Sequence, residues 1–395
     1  MKTLDITHST GCVHALNHLS VVDSKGWVGL CCQYDEANEM PNLGTIDTLD
    51  GILTSSIVKT RRKQLFAGEK IKNCDMCWYQ EKIGMNSRRQ KSNMPHHATN
   101  FTKIQRGILQ DLEIGLDYTC NMMCRMCKPS LSSKWNSAIE VNKEMQTFDS
   151  DHHDGQYKYG NYQRDIRRVL ENTDLSQLKK LQLVGGEPFY SKNFPWLMEK
   201  LRRTVNLSEL TLGVSTNGSI IPEESLNVLT KLKELNLAFS LDAIGDLASC
   251  IRWGVDFGKI DNIINKWIAL RNDHPNINLG IHCTINIQNM NMLNPLIDYA
   301  TERGFDISTN VLQGPVHLVP YQIPNLERRK FNIKTVRLDN STYQTKAMRR
   351  IVHSTEVAKN NLEAFLKSCD VLDKYQGMKF SDVNPEIYRL AEKYK

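Results

Sequence analysis

Short apolar runs and amphipathic stretches alternate along the chain from about residue 108. The apolar runs have the length of strands, and they cover 108–117, 178–188, 209–219, 234–242, 277–286 and 305–315. Stretches with helical periodicity, such as NFPWLMEKLRRTV and IDNIINKWIALRND, lie between them. Alternating strands and helices favour parallel pairing through right-handed crossovers. The six units predict an α/β fold, a partial (β/α)6 barrel whose chemistry lies at the C-terminal ends of the strands.

The chain on either side of this segment has a different pattern. The beginning is rich in cysteine and turn residues, and HLSVVD and GWVGLCC resemble the two strands of a hairpin. The end is basic and then helical. We therefore predict a small cysteine-rich domain at 1–105, the partial barrel at 106–322 and a helical C-terminal extension at 323–395.

The composition narrows the class of protein. Hydrophobic residues make up 40% of the chain and charged residues 24%, which is ordinary for a soluble protein. No apolar run approaches the roughly 18 residues of a membrane span, and the start MKTLDITHST lacks the apolar region of a secretion signal. We expect a cytoplasmic protein without a membrane partner. The net charge of +6 allows phosphate-bearing partners, although nucleic acid is not an expected partner.

The eleven cysteines favour metal ligation over disulfides, because the chain is large and has no secretion signal. Cys250, Cys283 and Cys369 are isolated, and an isolated cysteine is more often a small buried apolar residue than a ligand. His152 and His153 could bind metal or substrate, but they lie in a long polar stretch that favours a solvated insertion. The remaining cysteines form two groups.

The first group is the loop LDYTCNMMCRMC, which follows directly on the first predicted barrel strand. Its spacing, C-x3-C-x2-C, allows Cys120, Cys124 and Cys127 to hold a [4Fe–4S] cluster and to leave one iron open. A structural zinc site usually has four ligands, so zinc bound by these cysteines and a distant histidine is the alternative. An open coordination position indicates catalysis rather than structure.

The motif VGGEP ends the second predicted barrel strand, the next one after the cysteine loop. Gly185 and Gly186 allow backbone groups to approach a ligand closely. Glu187 offers an acceptor to an ammonium group, and Pro188 stiffens the exit from the strand. In isolation, this motif is an ordinary strand-to-helix turn.

Together, the cysteine loop and GGEP resemble the radical S-adenosylmethionine (SAM) superfamily. STNG (215–218) and SLD (240–242) end the next two strands, IRWGVDFGKI follows, and the resemblance covers about residues 108–320. It implies SAM contacts at the following residues: Met126, Gly185, Gly186, Glu187, Ser215, Asn217, Ser240, Asp242 and Arg252.

Four of these contacts carry a more specific implication. Glu187 would hold the amino group of SAM, and Ser240 would face its ribose. Arg252 could pair with the SAM carboxylate, because a guanidinium fork matches a carboxylate; a surface salt bridge is the alternative. Met126 stands where many relatives have an aromatic residue, and the adenine contact usually made there is largely through the backbone.

The second group of cysteines resembles the twitch form of the SPASM auxiliary-cluster module, whose signature is a cysteine, G-x4-C and C-x2-C. In most relatives this module follows the barrel, whereas here it precedes it. The matching residues are Cys12, Gly26, Cys31, Cys74 and Cys77. Cys32 is expected to be a bystander; its alternative role is to substitute for Cys12 or to cap an iron. Four thiolates can hold an auxiliary [4Fe–4S] or [2Fe–2S] cluster, and a four-cysteine zinc site is the alternative.

The resemblance implies an enzyme that reductively cleaves SAM and abstracts a substrate hydrogen with the 5′-deoxyadenosyl radical. The auxiliary cluster would relay electrons, and a flavodoxin or ferredoxin would be the electron donor. We expect modification or oxidation of a peptide or protein side chain; a small anionic molecule such as a nucleotide, sugar or aminocyclitol is the alternative substrate. Molybdenum-cofactor cyclases typically end in Gly-Gly, whereas this chain ends RLAEKYK, so that particular activity is not expected. A non-catalytic iron–sulfur or zinc regulator would not need the strand-end motifs.

Overall fold

The structure of the chain is a computed structural model that describes residues 10–22, 25–35, 39–82, 86–94, 106–146, 159–334, 345 and 348–395. His152 and His153 lie outside these residues. None of the described helices is both long enough and apolar enough to cross a membrane.

Each of the six strands predicted from the apolar runs is present, and three further short strands accompany them. In the described residues the strands are β1 (His18–Val21), β2 (Asp111–Gly115), β3 (Met123–Cys124), β4 (Lys180–Val184), β5 (Thr211–Thr216), β6 (Glu234–Ser240), β7 (Arg252–Trp253), β8 (Ile277–Ile285) and β9 (Asp306–Val311).

Helices fill most of the intervals between these strands. The described ones are α1 (His14–Asn17), α2 (Ser56–Phe66), α3 (Asp75–Lys82), α4 (Arg88–Asn93), α5 (Ser133–Val141), α6 (Lys143–Gln146), α7 (Tyr159–Asn172), α8 (Asn193–Thr204), α9 (Leu226–Leu229), α10 (Gly245–Ile251), α11 (Phe257–Asp273), α12 (Leu293–Glu302), α13 (Asn325–Arg328), α14 (Leu362–Gln376), α15 (Phe380–Val383) and α16 (Pro385–Tyr394). Their ends follow local capping chemistry: the Ser55 side chain accepts from the N–H of Val58 at the start of α2, and Gly377 ends α14 with φ 67°.

The chain divides into two compact units, and two of the boundaries between them fall inside β5 and β6. The first unit comprises residues 1–118, 157–213 and 224–235. Its sheet has β2 between β1 and β4, and both pairings are parallel. Leu19, Leu112 and Leu181 are all buried in its core.

The cysteine-rich beginning of the chain thus supplies a parallel strand, β1, to this sheet. The predicted hairpin is wrong, because GWVGLCC forms no strand; Ser20 and Gly29 make only an isolated antiparallel bridge. The reason is that the edge of β2 offers Leu19 and Val21 a buried neighbour, whereas a lone hairpin does not. The division at residues 105 and 322 remains a prediction.

The second unit comprises residues 119–156, 214–223 and 236–395. Its strands β8 and β9 pair in parallel, with Gly280 opposite Asp306. The short strands β3 and β7 pair in antiparallel fashion, with Cys124 opposite Arg252. A parallel α/β arrangement is therefore present in both units, while closure into a partial barrel stays a prediction.

Candidate iron–sulfur centres

The cysteine loop is held by its backbone on both sides within the second unit. Strand β3 contains Cys124 and pairs with β7. The N–H of Arg125 donates to the carbonyl of Ile251 at 2.8 Å, and the indole of Trp135 donates to the carbonyl of Cys124 at 2.8 Å. These backbone bonds fix the loop around Cys124.

The three thiols of this loop are all at least partly buried. Cys124 is buried, and Cys120 and Cys127 are half-buried. Burial, together with the neighbouring charge of Cys124, raises the pKa of Cys127 to about 12. Burial also raises the pKa of Cys124, while the Arg252 guanidinium opposes that shift. Thiolates in such a site need a strong positive charge beside them, which bound iron supplies.

Arg252 lies beside the loop but is already paired with a carboxylate. Its Nη1 is 3.8 Å from Cys124 Sγ, and its Nε donates to Asp242 Oδ2 at 2.8 Å. Asp242 is only 1% exposed, and its Oδ1 also accepts from the N–H of Thr284 at 2.7 Å. The pair is buried, unlike the surface salt bridge that was the alternative, and Asp242 serves to orient Arg252. The contact of Arg252 with the SAM carboxylate remains a prediction.

The STNG turn contacts the cysteine loop through a network of amides and a hydroxyl. Asn217 Nδ2 donates to Asn121 Oδ1 at 2.8 Å, and Asn121 Nδ2 donates to Ser219 Oγ at 2.9 Å. The Asn217 side chain also accepts from the N–H of Ser219 at 3.0 Å. Ser215 and Ser240 are half-buried at the ends of their strands. This network positions the loop, and it gives Asn217 a role that the resemblance did not suggest.

A group of buried amide side chains after β8 was not predicted from the sequence. Asn286, Gln288 and Asn289 are at most 1% exposed. Asn289 Nδ2 donates to the carbonyl of Asp242 at 2.9 Å, which ties this segment to the Arg252 pair. The run NIQNMN is an unusual density of amides at a strand end, and that density was the available signal.

The role of Arg125 was also not predicted from the sequence. This residue lies between the second predicted ligand, Cys124, and the third, Cys127. Its side chain is fully buried. The guanidinium donates to Asp373 Oδ1 at 2.5 Å, to Gln376 Oε1 at 2.9 Å and to the carbonyl of Cys250 at 3.1 Å. Helix α14 therefore holds the cysteine loop from the C-terminal part of the chain. Cys250, Cys283 and Cys369 are buried, as their isolation predicted.

GGEP belongs to the first unit, where its glycines make room for the protein's own backbone. Gly185 has φ 116°, and a Cβ added there would lie 2.5 Å from the carbonyl oxygen of Asp117. The N–H of Gly186 donates to the same carbonyl at 3.0 Å. Glu187 is 1% exposed, and its carboxylate accepts from the N–H of Phe189 at 3.1 Å. The motif thus fixes the segment that leads into the cysteine loop, and its SAM contacts remain predictions.

The second cysteine group gathers within the first unit. Burial raises the pKa of Cys12 to about 11, with the charge of Cys77 adding to the shift. Burial raises the pKa of Cys74 to about 12, with Cys12 and Cys77 adding to it, and Cys31 responds to burial and to Cys12 in the same way. Cys12 is therefore electrostatically coupled to each of the other three predicted ligands. Cys32 is exposed.

Within the part of the chain that the structure describes, no three sulfur atoms of the cysteines lie within 4.8 Å of one another. The choice between an iron–sulfur cluster and zinc in each group therefore remains a prediction.

Two arginines of α4 support this second group. Ser87 and Gln90 cap the helix reciprocally. Arg89 Nη2 donates to Glu81 at 3.0 Å and Nη1 to the carbonyl of Gly11 at 3.0 Å, while Arg88 Nη2 donates to Glu113 at 2.7 Å. Both guanidinium groups already have carboxylate partners. The positive charge of Arg88 and Arg89 is therefore only weak evidence for an anionic substrate.

The loop supplies three cysteines and no fourth one, and GGEP, STNG and SLD follow at successive strand ends. These are features of a radical SAM enzyme. No family model matches the chain. Sequence relatives nevertheless support the radical SAM superfamily.

The relatives are curated GTP 3′,8-cyclases. The chain is 24% identical over 207 residues to the enzyme from Staphylococcus epidermidis, covering 50% of the chain and 53% of the relative. It is 28% identical over 113 residues to the enzyme from Acidothermus cellulolyticus, covering 29% of the chain and 26% of the relative. The chain thus spans about half the length, or less, of these relatives.

Solved structures are more distantly similar. Streptococcus suis SuiB bound to precursor peptide SuiA shows 15% identity and a TM-score of 0.35, covering 62% of this chain and 53% of that one. Native anSMEcpe with bound AdoMet shows 16% identity and a TM-score of 0.36, covering 68% and 62%. At TM-scores this low, the substrates of these proteins do not indicate the substrate of this chain.

Proposed function

We propose that the chain is a radical SAM enzyme in which Cys120, Cys124 and Cys127 bind a [4Fe–4S] cluster. The observation that carries the proposal is the buried position of Cys124 beside Arg252, in a loop whose backbone is anchored by the Trp135 indole. When bound, the reduced cluster supplies the electron that splits SAM into methionine and a 5′-deoxyadenosyl radical, which abstracts a substrate hydrogen.

The protein's own residues orient the site and exclude water from it. Asp242 holds Arg252 beside Cys124, where the guanidinium stabilises the negative charge of a ligating thiolate. Asn121 and Asn217 fix the turn that faces the cysteine loop. The SAM contacts assigned by resemblance, including those of Met126, Glu187 and Ser240, belong to the same proposal.

Cys12, Cys31, Cys74 and Cys77 are proposed to bind an auxiliary [4Fe–4S] or [2Fe–2S] cluster. Their mutual electrostatic coupling within one unit supports this ligand set. A cluster with four thiolate ligands has no open iron, so its role is to relay an electron during net oxidation of the substrate. A flavodoxin or ferredoxin would supply the first electron.

The proposed substrate is a peptide or protein side chain. A small anionic molecule is the second candidate, and the similarity to GTP 3′,8-cyclases favours it specifically. The two candidates can be distinguished by adding either peptides or GTP to the reconstituted enzyme. The true substrate class should raise 5′-deoxyadenosine formation above the rate without substrate.

The division of labour between the cysteine groups is tested with the variants Cys124→Ala and Cys74→Ala. Cys124→Ala should abolish SAM cleavage, because it removes a ligand of the cluster that delivers the electron. Cys74→Ala should retain substrate-independent cleavage and lose product. The measurement is 5′-deoxyadenosine and product by mass spectrometry, after anaerobic reconstitution and reduction.

Cys32→Ala is the matched control for this pair. It removes an exposed thiol next to Cys31 and should retain both cleavage and product formation. Equal loss of SAM cleavage in Cys124→Ala and Cys74→Ala would contradict the proposed roles. Retained cleavage in Cys124→Ala would overturn the radical SAM assignment itself.

A further inference from the structure

Two histidines and an aspartate meet where α1 leads into β1, away from any role assigned above. His18 begins β1 and Asp111 begins β2, and the parallel register places them opposite each other. His14 comes from α1, one turn before His18. A ring nitrogen of each histidine and a carboxylate oxygen of Asp111 all lie within 4.8 Å of one another. In the described residues, this is the one group of three that is compact enough for a single metal ion.

The His18 ring is buried against the Asp111 carboxylate. It is only 2% exposed, and its Nδ1 lies 3.1 Å from Asp111 Oδ1 in an ion-pair contact. Within the described residues, its Nε2 is buried with no hydrogen-bond partner. An imidazole buried in this way is costly unless something else binds its nitrogens. A metal ion between Nδ1 and the carboxylate would do so.

The Nε2 atoms of both rings lie near oxygen atoms. His14 Nε2 lies 2.7 Å from Ser92 Oγ, and His18 Nε2 lies 3.9 Å from Glu113 Oε2. The two rings are in contact, with centroids 4.3 Å apart. Metal-bound histidines typically direct the nitrogen that does not bind metal to a hydroxyl, carbonyl or carboxylate oxygen, which fixes the ring. This arrangement assigns ligation to Nδ1 of both histidines.

We propose that His14, His18 and Asp111 bind one divalent transition-metal cation of the zinc type. Two imidazoles and a carboxylate suit Zn²⁺ or Fe²⁺ better than Mg²⁺ or Ca²⁺, which prefer oxygen ligands. Three protein ligands leave a coordination position for water. The ion joins α1, β1 and β2, and so fixes the segment that carries Cys12, two residues before His14.

Zinc binding to the full-length, cluster-loaded protein tests this site. Zinc is removed with a chelator and added back under anaerobic conditions; its stoichiometry is then measured, and X-ray absorption at the zinc edge identifies the ligand atoms. The expected result is one zinc per chain with nitrogen and oxygen ligands. A ligand shell dominated by sulfur would overturn the proposal, because the zinc would then occupy the cysteine groups.

Variants locate the zinc. Asp111→Asn and His18→Gln should each weaken zinc binding at least about tenfold. The control His282→Gln changes another sheet histidine, which contacts Ser308 Oγ at 2.8 Å, and should bind zinc normally. Wild-type affinity in a folded Asp111→Asn variant would refute the site. Because the readout is zinc, failure here leaves the cysteine assignments standing, and failure of SAM cleavage leaves the zinc site standing.

Discussion

Single residues in the site are fixed mainly by contacts with the protein itself. Arg252 was expected to face the SAM carboxylate, yet Asp242 already binds it in a buried pair. Gly185 was expected to make room for a ligand, yet the group that approaches it is the carbonyl of Asp117. Both residues therefore act first on the shape of the site, and any contact with SAM is added to that role.

At this scale we predict that Gly185→Ala destabilises the protein by about 3 kcal/mol or more. The added Cβ would collide with a backbone oxygen 2.5 Å away, and φ 116° is unfavourable for alanine. Gly51→Ala is the matched control, because Gly51 has φ 80° and nothing within 4 Å of its Cβ position. It should cost only about 1–2 kcal/mol of backbone strain. Chemical denaturation measures the difference, and equal costs would show that the Asp117 contact is easily relieved.

At the scale of elements, helix α14 supports the cysteine loop from far along the chain. Arg125 lies within the loop, and its guanidinium binds Asp373 and Gln376 of α14 together with the carbonyl of Cys250. Met123, Trp135 and Leu372 pack in one apolar cluster against Cys127. A helix of the predicted C-terminal extension is thus part of the structure that holds the loop.

We predict that Asp373→Asn lowers the rate of SAM cleavage about tenfold or more. It leaves the buried Arg125 charge without a carboxylate, and breaking a buried pair typically costs about 3–5 kcal/mol. Lys374→Ala is the control on the same helix, since Lys374 is 77% exposed and its distance to Glu144 is 3.6 Å. The assay is 5′-deoxyadenosine formation, with circular dichroism to confirm the fold. An unchanged rate in Asp373→Asn would show that α14 does not support the loop.

At the scale of the whole molecule, the compact units do not follow the order of the chain. Two of their boundaries fall inside β5 and β6, and the first unit combines the cysteine-rich beginning with part of the α/β segment. Strand β1 pairs with β2 over four residues, from His18 with Asp111 to Val21 with Ile114. The cysteine-rich segment is therefore built into a sheet and is more than an appended module.

It follows that a fragment of residues 106–395 should not fold as a soluble monomer. Removing β1 would leave β2 as an edge strand, with Leu112 and Ile114 uncovered, and such edges promote aggregation. Size-exclusion chromatography and circular dichroism of the purified fragment would measure this outcome. A monomeric fragment with the helix content expected from the full chain would contradict it and would support the domain boundary near residue 105.

Features that depend on local spacing, such as the strands and the cysteine motif, were predictable from the sequence alone. The apolar runs located six strands, because a buried parallel strand reads as a short continuous apolar segment. The spacing C-x3-C-x2-C, followed by GGEP, indicated the radical SAM superfamily, which the sequence relatives support. The isolation of Cys250, Cys283 and Cys369 indicated their burial.

Contacts between side chains that are far apart in the sequence became visible only in the folded structure. Arg125 and Asp373 are 248 positions apart, and Asp111 and His18 are 93 apart, so no local pattern links either pair. The same holds for β1, whose parallel partner β2 is distant in the sequence. Strand register and helix packing choose among many possible neighbours, and the free energy of burial that makes the choice belongs to the whole fold rather than to any short segment.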